Sequence, residues 1–209
     1  MVQNEFQAEH FAREDGGDDE MFYGVARLVK HIDEAASAAL ADYYARALPS
    51  GSDILDLMSS YASHLPPAPA FGRVVGLGMN RTELEANPEL SERLIHNLNS
   101  NPTLPFADNS FDACLLAVSA QYLIRPVEVF ADVARVLKPG ALFAISFSNR
   151  MFPTKAVAIW RSMGDTDHAR LLEAYLRNAG GYDELNFEIL MPAASKSDPL
   201  YLVSARRTA

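Results

Sequence analysis

The sequence predicts an α/β fold: a three-layer sandwich around a seven-stranded, mostly parallel sheet whose last strand runs antiparallel. Three observations carry this. Short apolar runs alternate with amphipathic stretches through the middle of the chain, the pattern of parallel strands joined by crossover helices. The chain then closes with two strand-like runs and no helix between them, which reads as a hairpin. Its 209 residues, 49% of them hydrophobic, suit one domain with a sizeable core and a modest extension.

The elements follow in order. Residues 1–20 carry Glu5, Glu9, Glu14, Asp15, Asp18, Asp19 and Glu20 against one base, Arg13, and are expected to form an acidic, flexible tail. Residues 21–209 form the domain, with residues 21–50 as an N-terminal helical extension. There Phe22, Val25, Val29, Ile32, Ala36, Leu40, Tyr43, Tyr44 and Ala47 recur at helical spacing and predict one helix over residues 22–47. Pro49-Ser50-Gly51-Ser52 ends it. His31 and Asp33, two apart on that helix, face apart and form no dyad. A buried strand covers residues 53–58, a Pro-rich surface connection residues 66–69, and a second strand residues 73–77. Thr82 and Glu85 have capping-box spacing, so a short helix is expected to start at Thr82. A weak third strand spans 94–98 and a strongly apolar fourth 111–119. Pro126 opens a helix with Phe130, Val133, Ala134 and Leu137 on its inner face, and Pro139-Gly140 stops it. The fifth strand covers 141–147, a helix 165–179, and the last two strands 185–190 and 200–205. Lys155 and Trp160 fall on a further short helix, as a solvated lysine and a core tryptophan.

Charge and composition exclude several functions. Net charge is −9, from 18 Lys+Arg and 27 Asp+Glu, and no basic stripe is available to neutralise phosphates, so a nucleic-acid partner is not expected. No apolar run reaches the ~20 residues of a membrane span, and an acidic N-terminus is not a secretory leader. A cytoplasmic protein without membrane partners is expected. The single cysteine, Cys114, excludes an internal disulfide framework and a Cys-cluster zinc site. His10, His31, His64, His96 and His168 are scattered, so no metal site is expected; His64 reads as a loop cap.

In a parallel α/β sheet, ligands bind beyond the carboxyl ends of the strands near the topological switch point. That places Ser59, Ser60, Gly78, Asn80, Asn97, Asn99, Ser119 and Ser148 at the candidate site.

Two segments then point to a family. Leu104-Pro105-Phe106-Ala107-Asp108-Asn109-Ser110-Phe111-Asp112 resembles a marker of class I S-adenosylmethionine-dependent methyltransferases, and Arg135-Val136-Leu137-Lys138-Pro139-Gly140 resembles a second. Ile54-Leu55-Asp56-Leu57 is similar to that fold's first strand, and Asp198-Pro199-Leu200-Tyr201 to its final antiparallel strand. The resemblance implies a Rossmann-like methyltransferase fold, S-adenosyl-L-methionine as cofactor and a small-molecule acceptor. It implies a cofactor site at Asp56, Ser59, Ser60, Gly78, Met79, Asn80, Asn97, Leu98, Asn99 and Ser119. Departures accompany it. Met58, Ser60 and Ala62 stand where the family has the glycines of a G-x-G-x-G loop, and Gly78 stands where it has the acid that binds the ribose hydroxyls. An acid near the adenine amino group is replaced by Asn97, Asn99 or both. A non-catalytic binding or scaffold protein that kept the sheet and lost the cofactor loop is therefore the alternative to an enzyme.

Tyr122, Asn149, Arg150 and His31 are the candidates for catalysis and acceptor binding. Tyr122 offers a ring and a hydroxyl, Asn149 donates and accepts, and Arg150 can fork onto a carboxylate. Packing explains Tyr122 equally well, and a loop salt bridge explains Arg150.

Overall fold

A computed structural model describes residues 6–68 and 70–209. Its helices are α1 (Asp19–Tyr23), α2 (Glu34–Ala47), α3 (Arg81–Ala86), α4 (Pro126–Val136), α5 (Ala158–Arg161) and α6 (Asp165–Ala179). Its strands are β1 (Ile54–Leu57), β2 (Val74–Gly78), β3 (Glu92–Ile95), β4 (Phe111–Ala117), β5 (Leu137–Phe147), β6 (Tyr182–Met191) and β7 (Leu200–Arg207). They form one seven-stranded sheet in the order β3-β2-β1-β4-β5-β7-β6. β1 to β5 pair in parallel, and β7 runs antiparallel between β5 and β6. The predicted sandwich is the observed one.

Apolar residues on both faces explain the layers. On one face Phe130 and Val133 of α4, Trp160 of α5 and Leu172 and Tyr175 of α6 pack against Phe143 and Ile145. On the other, Leu40 and Tyr44 of α2 and Leu84 of α3 cover Ile54, Val74 and Ala113. Full burial of each such side chain contributes about 1.5–3 kcal/mol. Cys114 is buried in the first of these cores, as expected.

The two family-like segments are locked to each other. Arg135 donates to the Phe106 and Leu104 carbonyls and to Asp108 and Asp132, while Lys138 reaches both Asp112 oxygens at 2.8 and 2.9 Å. Their joint occurrence thus has a structural cause: the second segment supplies the cations that hold the turn of the first.

Several local expectations are corrected. The helix over residues 22–47 is two helices, and residues 24–33 between them are irregular. Asp33 caps α2, its carboxylate accepting from the Ala36 amide at 2.9 Å, so the helix cannot extend upstream. Val25 and Val29, which share the apolar periodicity, are exposed. His31 precedes the helix. α3 is capped by Asn80, two residues before Thr82, through its side chain and the Glu83 amide. β3 starts two residues earlier than its apolar residues suggest, because pairing with β2 sets its register at this exposed edge. Pro139 and Gly140 lie inside β5, which begins directly after α4.

Nor do residues 6–20 behave as a loose tail. Phe6 is buried with its ring 4.9 Å from Tyr175, and Asp19 is buried. Lys155 is fully buried rather than solvated, its ammonium 3.1 Å from Asp19 and 3.2 Å from Asp15. It is the post to which the acidic segment is tied. Residues 1–5 lie outside the described residues, as does Pro69 of the Pro-rich connection. Among the described residues, 58–73 cross from β1 to β2 without a helix; Pro66 and Pro67 remove the amides a helix there would need. No helix among the described residues is long and apolar enough to cross a membrane.

Candidate functional site

The strand order reverses between β1 and β4, and a cavity of about 450 Å³ opens there, beyond the carboxyl ends of β1, β2 and β4. A volume of this size suits a small organic ligand. Residues 23–31 wall its outer side.

The loop after β1 forms the cavity floor. Met58 holds a left-handed backbone, φ 56°, and His64 another, φ 57°. The Asp56 carboxylate, fully buried, fixes the loop: the Ser59 and Ser63 hydroxyls donate to one of its oxygens at 2.5 and 2.6 Å. Burial pushes the Asp56 carboxyl up to about 6, and those two hydrogen bonds oppose the rise only in part. Further along, Glu89 accepts from the Ser63 and Leu65 amides, and Asn87 donates to the Ser60 carbonyl and Ser63 hydroxyl. His64 is more than a loop cap. Its Nδ1 is 2.8 Å from the Ser37 hydroxyl, and burial lowers its pKa to about 4, keeping the ring neutral at pH 7.

At the end of β2 the chain is crowded. The Ser59 amide donates to the Leu77 carbonyl, which brings the Ser59 carbonyl oxygen to 2.2 Å from where a Cβ on Gly78 would sit. Only glycine fits. Asn80 spends both amide hydrogens on the Tyr23 and Gly24 carbonyls, clamping the N-terminal segment over this corner. Glu83 also faces the cavity. It accepts from the Arg27 amide at 2.6 Å and from the Ser60 hydroxyl at 2.6 Å.

Beyond β3 and β4, Asn97, Leu98, Ser119 and Tyr122 line the cavity. Asn99 lines it as well, but its amide donates to Asp19 and the Tyr122 carbonyl while its oxygen accepts from the Ile124 amide. Its polar atoms serve the fold. Val118 adopts φ 42°, an outlier for a β-branched residue, beside Ser119. The hydroxyls of Ser119 and Tyr23 are buried without a hydrogen-bond partner. The Tyr122 hydroxyl accepts from the Phe152 amide at 2.8 Å, so Tyr122 presents its ring. On the rim, Asn149 and Arg150 share the cavity wall with His31, whose ring is 5.7 Å from that of Phe152. Burial lowers the His31 pKa. Arg150 makes one long ion pair, 3.9 Å to Asp198, and its side chain is 63% exposed.

All the sequence-derived candidates in the cofactor and acceptor sets therefore reach one cavity. Ser148 alone among the strand-end residues is absent from its wall. Glu83, Arg27, Lys30 and Phe152 belong to the wall and were not among the candidates. Reading Asn80 as the cap of α3 would have put Glu83 in its first turn, facing the strand ends; the capping-box spacing at Thr82 shifted that helix by two residues.

Comparison with known proteins gives matches to methyltransferases. Residues 55–145 match the model of a methyltransferase domain. An uncharacterized methyltransferase of Mycolicibacterium paratuberculosis is 33% identical over 48% of this chain and 39% of its own length. One of Mycobacterium sp. (strain JLS) is 27% identical over 84% of this chain and 71% of its own. The central part of this chain thus resembles a methyltransferase domain. A solved S-adenosylmethionine-dependent methyltransferase from Aquifex aeolicus shares the fold, with a TM-score of 0.60 at 16% identity over 84% of this chain and 94% of that one. The chain spans well under two thirds of the length of the first curated relatives it matches.

Set against the resemblance, the loop departures acquire a physical form. Of the three positions where the family carries glycine, Met58 alone needs a left-handed backbone and adopts it; Ser60 and Ala62 do not. The missing acid at Gly78 and the altered loop are a single change, since the Ser59 carbonyl fills the space an acidic side chain would leave from. The residues present fit the cofactor. The cavity lies at the switch point, and two unpartnered buried hydroxyls, Ser119 and Tyr23, belong to its wall.

Proposed function

We propose that this chain binds S-adenosylmethionine in the switch-point cavity and methylates a small-molecule acceptor admitted beneath residues 23–31. The observation that carries this reading is the pair of buried, unpartnered hydroxyls of Ser119 and Tyr23 in a cavity of ligand size. When bound, the cofactor supplies an electrophilic methyl group for direct displacement. The floor, Asp56 to Ala62, and the residues after β3, Asn97 and Leu98, would hold its methionyl and adenosyl parts. Tyr23, Tyr122 and Phe152 wall the acceptor side with rings and exclude water. Asn149 and Arg150 give it directional polar contacts, Arg150 favouring an acceptor with an anionic group. His31 and His64 add ring nitrogens to the same wall, which matters only for an acceptor that must lose a proton.

The test is thermal unfolding of the chain with and without S-adenosylmethionine and S-adenosylhomocysteine. A ligand at 100 times its dissociation constant adds about 2.7 kcal/mol, an upward shift of several degrees. No shift at millimolar concentration of either would favour the non-catalytic reading.

A further inference from the structure

Of the eight large apolar side chains left exposed among the described residues, half belong to the mouth of the cavity: Val25, Leu28 and Val29 on the covering segment, and Met151 after β5. Val29 and Met151 are 57% and 37% exposed and also line the cavity, so apolar surface passes from its wall out to solvent. Val25 and Leu28, 68% and 50% exposed, continue it along the same segment. Single apolar residues scattered over a surface need no explanation, but a group of them at a cavity mouth marks a binding surface. Two cations stand at the same mouth. The Arg27 guanidinium lies 4.8 and 5.2 Å from the Phe22 and Phe152 ring centres and donates to the Val25 and Phe22 carbonyls. Among the described residues it pairs with no carboxylate. Arg150 has only its long contact with Asp198.

We propose that the acceptor is an amphipathic anion, its charged group held between Arg27 and Arg150 and its hydrocarbon chain laid outside the cavity over Met151, Val29, Val25 and Leu28. The proposal rests on the reading that the cavity binds an adenosyl cofactor, and it names the class of molecule that shares the site. Size supports it. At about 450 Å³ the cavity lies toward the small end of ligand pockets, and the cofactor would occupy much of it. Any part of an acceptor beyond its reacting group must therefore leave through the mouth, where the surface it meets is apolar. Charge decides between a single molecule and a bilayer. Asp18, Glu20 and Glu34 are exposed on either side of the apolar residues and would be repelled by an anionic membrane, whereas one anionic group reaches the two arginines without meeting them.

The experiment is calorimetric titration of the full chain, first with S-adenosylhomocysteine and then, once saturated, with octanoate, decanoate and dodecanoate below their micelle-forming concentrations. Each methylene moved out of water raises affinity up to about fourfold, so dodecanoate is expected to bind roughly tenfold or more tightly than octanoate. Dodecyltrimethylammonium, with the same chain and the opposite charge, is expected to bind at least about tenfold more weakly than dodecanoate. In the double variant Val25→Ser, Leu28→Ser the gain from octanoate to dodecanoate falls below about threefold. Its affinity for S-adenosylhomocysteine is unchanged, since neither residue lines the cavity, and this also shows that the variant is folded. Equal affinity for the three alkanoates, an undiminished gain in the variant, or equal binding of the cationic amphiphile each overturns the assignment. Sedimentation of the chain with phosphatidylglycerol vesicles, without binding of the monomeric alkanoates, overturns it in favour of a bilayer surface. Absence of S-adenosylhomocysteine binding overturns the cofactor reading and the acceptor assignment with it. S-adenosylhomocysteine binding beside a flat alkanoate series overturns the acceptor assignment alone.

Discussion

Met58 and Val118 each hold a left-handed backbone at the cavity, a conformation that costs a non-glycine residue on the order of 1–3 kcal/mol. Both persist because neighbours over-determine them: Asp56, Ser59 and Ser63 brace the first, and the bond from the Val118 amide to the Ser146 carbonyl braces the second. Asp56 was legible in the sequence as an acid ending a core strand. That it is a pH-sensitive brace was not, because burial and the serine contacts arise only on folding. Its carboxyl rises from 3.8 to about 6 in the folded protein. Between those values the unfolded chain loses the proton first, so stability falls as pH rises from about 4 to 6 and stays lower above. Asp56→Asn removes this term. Relative to native, the variant should gain on the order of 2–3 kcal/mol between pH 4 and pH 7 in urea unfolding. A difference independent of pH would show that Asp56 is not held in an unfavourable ionised form.

At the scale of elements, the decisive contact is the crossing of the β1 loop over the end of β2. Gly78→Ala puts a methyl group into the Ser59 carbonyl, and backbone must move to relieve it. The expected loss is about 2 kcal/mol, measured as a lower urea midpoint with unchanged slope. Native-like stability would mean that the loop does not lie there. The sequence showed glycine at position 78 but not that glycine is indispensable there, since its reason is a carbonyl nineteen residues upstream. Helical periodicity over residues 22–47 failed for a related reason. Apolar spacing shows which residues could share a face, whereas the Asp33 cap and the clamp of Asn80 on Tyr23 and Gly24 decide where the chain leaves the helix. Where pattern and cap agreed, as at α6, the predicted and observed bounds coincide.

For the whole molecule, the N-terminal segment is a structural part of the domain. Asp19 is its anchor: Arg13, Lys155 and Asn99 all donate to it, and together they outweigh the burial that would otherwise raise its carboxyl. Lys155→Met leaves Asp19 with Arg13 and Asn99 and frees Asp15. The expected cost is about 2 kcal/mol, below the ~3–5 kcal/mol of a buried charge left alone. The same variant should show faster proteolytic cleavage within residues 6–19, because the post holding them is gone. Unchanged proteolysis would place their attachment elsewhere, in the packing of Phe6 and Phe11 on Tyr175.

The sequence by itself determined the fold class, the strand count, the family resemblance and the strand-end positions where a ligand would bind. These depend on local periodicity, on turn residues and on two short segments whose charges meet in the folded protein. Tertiary structure alone decided that the acidic segment packs, that Lys155 is buried and that Glu83 faces the cavity. Each depends on residues far apart in the chain, Lys155 with Asp19 or Glu83 with Arg27 and Ser60. Solvation and hydrogen-bond demand at such meeting points exist only once the sheet has brought its loops to one end.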